Sequence, residues 1–263
     1  MRKILTCLFL SMTALNGLEL NRVILSTNDD PLYIEFWPVV APIWEAMGLR
    51  PTLALIANED CPIDTSIGDV IRFAPIPGVT EALQSQAIRL LLPILYPDEG
   101  CLLSDIDMIP ISKSYFVDNA KDCPDDTMLI YRDKADEYQF GRFPMCYVAA
   151  KGRVFGEVFD IQSADDIRQQ LIEWSELGYG WNTDEIVLSS HALFWEQSRG
   201  GHLIRLGHSV SGRLDRSTWF SDIPHLDITN YIDCHSPRPY TQYKPILDLL
   251  ITEIFHELAL EKN

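Results

Sequence analysis

The stretch CLLSDIDMIPI, residues 101–111, decides how we interpret the rest of the chain. Its first four residues are typical of a buried strand, and two aspartates separated by one residue, Asp105 and Asp107, follow directly. Because alternate residues of a strand point to the same side, we expect both carboxylates to converge at the carboxyl end of this strand. Two carboxylates held that close repel each other, which raises one pKa unless a cation lies between them. Such oxygen ligands suit Mg²⁺ or Mn²⁺, which also bind phosphate oxygens.

Alternating strands and helices surround this stretch and predict an α/β fold. Before it, the hydrophobic pattern predicts strands at 21–27, 52–57 and 69–76, a helix at 33–47 that Pro38 and Pro42 kink or shorten, and a helix at 81–95. From the motif onward we predict strands at 100–104, 128–132 and 146–150 and helices at 161–177, 185–198 and 243–261. This alternation is typical of a doubly wound sheet, which binds its ligands at the carboxyl ends of the strands. Asp105 and Asp107 lie at that edge.

Composition indicates a globular chain and excludes some partners. The 263 residues are 47% hydrophobic, which is enough for one large domain with a full core. A formal charge of −17 would repel nucleic acid, so we expect no nucleic-acid partner. The six cysteines include neither a CxxC pair nor a zinc-like spacing, and we expect mostly buried thiols.

We expect a single domain at residues 21–263, preceded by a separate N-terminal segment at residues 1–20. Basic residues at positions 2 and 3 precede an apolar run at 4–15, as in a secretory signal peptide. The cleavage site is poor, because signal peptidase prefers a small residue at position −3 and a cleavage around Gly17 would place a leucine there. A signal peptide and an apolar helix packed on the domain both stay open. The first predicts a secreted or exported protein and the second a cytoplasmic one. The run is too short to cross a bilayer, and we expect no transmembrane span.

Five short strings resemble, in order, those of the GT-A-fold glycosyltransferases, a nucleotide-sugar-dependent class whose hallmark is a D-x-D motif. They are STN at 26–28, QAIRLLLP at 86–93, LSDIDM at 103–108, WNTDE at 181–185 and DCHSPRP at 233–239. The resemblance implies a Rossmann-like three-layer sandwich with a central mixed, mostly parallel sheet. It also implies a metal-dependent transfer of a sugar from a nucleoside-diphosphate sugar to a hydroxyl of a carbohydrate, lipid or protein acceptor. The implied cofactor is Mn²⁺ or Mg²⁺.

The same resemblance assigns roles to individual residues. The metal ligands would be Asp105, Asp107 and a late histidine, for which His235 is our candidate and His202 and His208 are competitors. Asp184 and Glu185 are the catalytic candidates, since a carboxylate there suits the binding of the acceptor hydroxyl or the removal of its proton; Asp184 also suits a helix N-cap. Arg89 would either neutralise the nucleotide phosphates or hold the D-x-D loop by a salt bridge. Candidate substrate-binding residues are Ser26, Thr27, Asn28, Arg89, Asp105, Trp181 and Arg238.

Two other functions stay open. Haloacid-dehalogenase-type phosphohydrolases also place a D-x-D after an apolar strand and use the first aspartate as nucleophile. Their motif usually follows the first strand of the chain, whereas here three predicted strands precede it. A non-catalytic module that binds a nucleotide-sugar is the other alternative. The identity of the sugar, nucleotide and acceptor depends on loop shapes, which these motifs do not specify.

Overall fold

The structure is a computed structural model that describes residues 17–134, 142–217 and 226–261. Most of the N-terminal segment 1–20, with both of its predicted alternatives, lies outside these residues. Of that segment the structure describes only the last four residues, among which Gly17 pairs with Pro124 in an isolated bridge and Leu20 begins the first strand. None of the described helices combines the length and the apolar composition that a membrane crossing requires.

Within the described residues, ten strands form two sheets. They are β1 (Leu20–Asn28), β2 (Arg50–Ile56), β3 (Asp69–Phe73), β4 (Gly100–Ser104), β5 (Met108–Pro110), β6 (Thr127–Ile130), β7 (Tyr147–Lys151), β8 (His202–Arg205), β9 (Arg213–Asp215) and β10 (Asp233–His235). The large sheet has the order β3-β2-β1-β4-β7-β6-β8, and the small sheet has the order β5-β10-β9. In the large sheet, β7 runs antiparallel to both of its neighbours and all other pairs are parallel. The predicted mixed, mostly parallel sheet is therefore confirmed.

Helices cover both faces of the large sheet. They are α1 (Pro31–Ile34), α2 (Trp37–Ala46), α3 (Glu81–Leu91), α4 (Lys113–Lys121), α5 (Gly152–Phe159), α6 (Ala164–Glu176), α7 (Thr183–Arg199) and α8 (Tyr240–Leu260). Strand residues alternate between two hydrophobic clusters: Val23 and Leu25 pack with α2, α4 and α8, while Ile24 packs with α3, α5, α6 and α7. This alternation confirms the predicted Rossmann-like three-layer sandwich.

Prolines account for several differences between predicted and observed boundaries. The predicted helix 33–47 is divided into α1 and α2, with Pro38 in the first turn of α2, where a missing N–H costs nothing. The predicted helix 81–95 ends as an α-helix at Leu91 and continues as a 3₁₀ turn that contains Pro93. Strand β3 ends at Phe73, before Pro75, rather than at residue 76.

Helices α4 and α5 and the strands β5, β8, β9 and β10 were not predicted. Each of these four strands is three or four residues long, too short to show an alternating pattern. Helix α5 begins directly at the end of β7 with Gly152, where the chain passes very close to a neighbouring turn. A Cβ atom on Gly152 would lie 2.2 Å from the carbonyl oxygen of Pro93 and 2.3 Å from that of Tyr96. Only glycine allows this approach.

The cysteines follow the prediction where the structure describes them. Cys101, Cys123, Cys146 and Cys234 are buried free thiols, and Cys61 is a half-buried free thiol. The described residues therefore contain no disulfide.

Candidate active site

A cavity of about 560 Å³ opens at the carboxyl ends of β1 and β4. Because these strands are parallel neighbours, the polar residues that follow both of them meet at one edge of the sheet. Every residue that the sequence analysis assigned to metal, substrate or catalysis lines this cavity: Ser26, Thr27, Asn28, Arg89, Asp105, Asp107, Trp181, Asp184, Glu185, His235 and Arg238. The structure thus brings the whole predicted set together, while the individual roles stay predictions.

Arg89 joins two carboxylates beneath the cavity. It lies in the last turn of α3 and is 6% exposed. Its Nη1 is paired with Asp105 Oδ1, its Nη2 lies 3.3 Å from Asp184 Oδ2, and its Nε donates to the Gln86 carbonyl. Burial disfavours the charge on Asp105, but Arg89 outweighs this effect and lowers the pKa of Asp105. Of the two roles predicted for Arg89, the salt bridge to the D-x-D loop is the one that this geometry favours.

The small sheet places the second aspartate next to a histidine. Asp107 directly precedes β5, whose Met108 is paired with His235 at the end of β10. His235 is in turn paired with Asp215 at the end of the parallel strand β9. The backbone N–H of Ser236 also donates to the Asp107 carbonyl at 3.0 Å. Asp107, His235 and Asp215 are therefore brought to the same edge of the sheet by backbone hydrogen bonds.

The Asp107 carboxylate is buried beside two arginines and a histidine. Its side chain is 8% exposed, and its Oδ2 lies 3.4 Å from Arg216 Nη1, 3.4 Å from Arg238 Nε and 3.7 Å from His235 Nε2. Burial and the nearby charge of Asp105 nevertheless raise the pKa of Asp107 above its ordinary value. The three contacts are longer than the 2.7–2.9 Å typical of a charge-assisted hydrogen bond. The carboxylate is thus surrounded by positive charge without being tightly bound by any one group.

Asp215 fixes the orientation of the His235 ring. The ring Nδ1 lies 3.2 Å from Asp215 Oδ2. Burial opposes the charge on Asp215, but hydrogen bonds from Ser217 and His235 prevail and lower its pKa to about 2. Since an ionised carboxylate only accepts, Nδ1 must donate to it. In a neutral ring the lone pair is then on Nε2, the atom that faces Asp107.

Two arginines of the cavity were missed by the sequence analysis. Arg213 and Arg216 both line it, at the two sides of the short segment Arg213-Leu214-Asp215-Arg216. Arg213 binds Asp233 through two hydrogen bonds of 2.9 and 3.1 Å, and the fully buried Arg132 lies 3.2 Å from the same carboxylate. The charged residues on both sides of Leu214 are visible in the sequence. A three-residue strand, however, is too short to show the alternating pattern from which their position in the fold could be predicted.

The opening of α7 differs in detail from the prediction. Asn182 stands at the N-cap, and Asp184 lies in the first turn with its Oδ1 accepting the N–H of Glu185. The alternative of Asp184 as the helix N-cap is therefore wrong. Burial raises the pKa of Asp184 despite the nearby Arg89. Glu185 lies 3.5 Å from Arg142, and Trp181 is 64% exposed at the rim.

The two competing histidines lie elsewhere. His202 is exposed and lies 3.2 Å from Asp126, and the His208 Nδ1 lies 2.8 Å from the hydroxyl of Tyr115. Neither lines the cavity. Of the three histidines considered, His235 is the one that the fold places beside the D-x-D motif.

The donor set around Asp107 suits a divalent cation. A carboxylate oxygen and an imidazole nitrogen face each other at 3.7 Å, and the far side of that imidazole is held by a second carboxylate, as is typical of metal-binding histidines. Asp105 supplies further carboxylate oxygen in the same cavity. Within the described ranges, no three His, Cys, Asp or Glu side chains are already assembled as a metal-holding group.

Neither a protein-family model nor a curated protein matches the chain. Solved structures do. The chain superimposes on the apo-form glycosyltransferase GlyE of Streptococcus pneumoniae with a TM-score of 0.51 and 12% identity over 91% of its length, and it spans 64% of the GlyE chain. The galactosyltransferase LgtC, solved in complex with donor and acceptor sugar analogs, gives a TM-score of 0.50 and 14% identity, with 91% of this chain and 95% of LgtC covered. These likenesses establish that the chain has a GT-A-like fold.

Proposed function

We propose that this chain is a metal-dependent glycosyltransferase, which transfers a sugar from a nucleoside-diphosphate sugar to an acceptor hydroxyl. The observation that carries the proposal is the convergence of Asp105, Asp107 and His235 at one cavity, at the sheet edge where α/β folds bind ligands. These residues come from the loop between β4 and β5 and from the end of β10, more than a hundred positions apart in the chain. The likeness to GlyE and LgtC supports the class of reaction.

Asp107 and His235, with Asp105, would hold Mn²⁺ or Mg²⁺. When bound, such a cation neutralises the charge that develops on the departing diphosphate. Arg238 lies beside the same carboxylate and is placed to donate to phosphate oxygens. Ser26, Thr27 and Asn28 line the other side of the cavity, where they would contact the nucleoside.

Glu185 is the stronger candidate for the base that removes the acceptor's proton. The Asp184 side chain is 6% exposed and its oxygens accept from Arg89 and from the Glu185 N–H, so it holds Arg89 in place. The Glu185 side chain is 28% exposed and lies on the cavity wall near Trp181, whose exposed ring suits stacking against a sugar face.

Exchanging each carboxylate for its amide separates the two roles. Glu185→Gln should lower the transfer rate without loss of stability, whereas Asp184→Asn should disturb the Arg89 pairing.

A ligand screen tests the proposal directly. Unfolding by urea is followed with Mn²⁺ and each of a set of nucleotide-sugars, and a ligand at one hundred times its Kd should stabilise the fold by about 2.7 kcal/mol. The gain should vanish without Mn²⁺ and in Asp107→Asn, which preserves the shape of the side chain. A full gain in that variant would refute the metal assignment.

Turnover distinguishes the proposal from its two alternatives. An enzyme should hydrolyse or transfer the sugar of the stabilising nucleotide-sugar, while binding without turnover would indicate a non-catalytic module. Phosphate release from p-nitrophenyl phosphate that depends on Asp105, with a trapped phospho-aspartate, would instead indicate a phosphohydrolase.

A further inference from the structure

Two guanidinium groups approach the same oxygen of Asp107. Arg216 follows β9 and Arg238 follows β10, and because these strands are parallel, both side chains start from the same edge of the small sheet. Arg216 Nη1 donates to Asp107 Oδ2 at 3.4 Å, and Arg238 Nε lies 3.4 Å from that oxygen. The two arginine side chains are 33% and 23% exposed.

These contacts are looser than the pair that the neighbouring Arg213 makes with Asp233. Arg213 reaches Asp233 at 2.9 Å through a two-pronged contact, whereas each guanidinium at Asp107 makes a single long one. Arg238 also makes a cation–π interaction, since its guanidinium lies 4.4 Å from the centre of the Tyr33 ring. Both groups are therefore free to leave Asp107 at a small energetic cost.

The guanidinium groups that contact Asp107 outnumber the single carboxylate that they share. Two guanidinium groups share one carboxylate, and Arg213, whose partner Asp233 is also paired with Arg132, lines the same cavity. A divalent cation on Asp107 would add positive charge beside Arg216 and Arg238, and like charges at this range repel each other. An anionic ligand with several oxygens would compensate the cation and both arginines together.

We propose that Arg216 and Arg238 exchange partners: they bind Asp107 until a metal ion takes that carboxylate, and they then bind the diphosphate of the donor. This inference rests on the proposed function and adds Arg216 as a diphosphate-binding residue. It implies that the metal and the diphosphate bind cooperatively, because each ligand improves the electrostatic environment of the other. It also implies that the arginines weaken the binding of the metal alone.

The variant Arg216→Gln tests this exchange, because it should shift two affinities in opposite directions. Binding of Mn²⁺ alone, followed by the electron paramagnetic resonance signal of the free ion, should become about twofold to fivefold tighter, the range that corresponds to a partly exposed ion pair. Binding of a nucleoside diphosphate (ADP, GDP, CDP or UDP, whichever the wild type binds) at saturating Mn²⁺ should become about tenfold weaker, as for a lost hydrogen bond to a charged group. Arg238→Gln should show the same pair of shifts.

The matched control is Arg50→Gln, which removes the same charge from a 60% exposed arginine at the start of β2. It should change neither affinity. A merely structural role for Arg216 would weaken both ligands together, and that result, or no change in either, would overturn the exchange. If wild-type protein binds neither Mn²⁺ nor any nucleoside diphosphate, the proposed function fails along with it. Thermal unfolding of each variant verifies that it is folded.

Discussion

Replacing Arg89 by methionine should reveal how much the carboxylates of the cavity depend on one buried cation. The change removes the guanidinium between Asp105 and Asp184 and keeps most of the apolar volume of the side chain. Asp184 is 5% exposed, so it cannot recover the lost interaction from water. Breaking a buried ion pair by removing one partner costs about 3–5 kcal/mol, and we expect a loss of this size. Urea unfolding at pH 7, followed by circular dichroism, measures it.

The pH dependence of this loss has a definite sign. Burial already raises the pKa of Asp184 in the wild type, and removing Arg89 should raise it further. A carboxyl whose pKa is higher in the folded than in the unfolded state destabilises the fold when it is ionised. This penalty is lost as the pH falls through the folded-state pKa towards the unfolded-state pKa of about 4. The difference between Arg89→Met and wild type should therefore be smaller at pH 5 than at pH 7.

A double variant and a surface control complete this test. Asp184→Asn in the Arg89→Met background removes the stranded charge and should recover a large part of the lost stability, which a double-mutant cycle quantifies. Arg50→Met, at a pair with Asp69 that is open to solvent, should cost much less. If Arg89→Met loses less than about 1 kcal/mol, or if the double variant is no more stable than the single one, the buried-pair reasoning is refuted.

Three further predictions concern the metal, the acceptor and the fold. Asp215→Asn should weaken Mn²⁺ binding about tenfold or more, measured by the resonance of free Mn²⁺, because His235 loses the carboxylate that orients it; unchanged affinity would exclude that role. Trp181→Ala should lower the rate of transfer to a carbohydrate acceptor while leaving hydrolysis of the same donor intact, and an equal loss of both rates would contradict a role in acceptor binding. Gly152→Ala should lower the free energy of unfolding by about 1–3 kcal/mol through the close contact of its Cβ with the Pro93 carbonyl; a neutral urea midpoint would contradict it.

The sequence predicted six of the seven strands of the large sheet, all but β8, because these six carry their own signal. Strands β1, β2 and β4 are five to nine residues long, are buried on both faces and are followed within two residues by polar ones, so their bounds are visible in the apolar pattern. The same pattern, together with the resemblance, placed the D-x-D motif at the edge where the cavity opens. The long helices α3, α6, α7 and α8 were found for the same reason, with errors of a few residues at their ends.

The small sheet could not be predicted in this way. Each of its strands has three residues, and the pairing of β5 with β10 joins segments that are more than a hundred positions apart in the chain. His235 and Arg238 were identified only through the resemblance of their motif. Arg213 and Arg216 belong to no such motif and were missed, since their place in the cavity follows from the pairing of β9 with β10.

This small sheet has a consequence for how the motif should be used in searching for working enzymes. A fragment truncated after β8 would retain the D-x-D loop and all seven strands of the large sheet, yet it would lack the imidazole, its orienting carboxylate and three of the four cavity-lining arginines. The presence of two aspartates in a sequence is therefore a poor indicator of competence in chains of this architecture. A better criterion is whether the last fifth of the polypeptide supplies a strand that pairs with the residues directly after the two aspartates, as β10 does with β5.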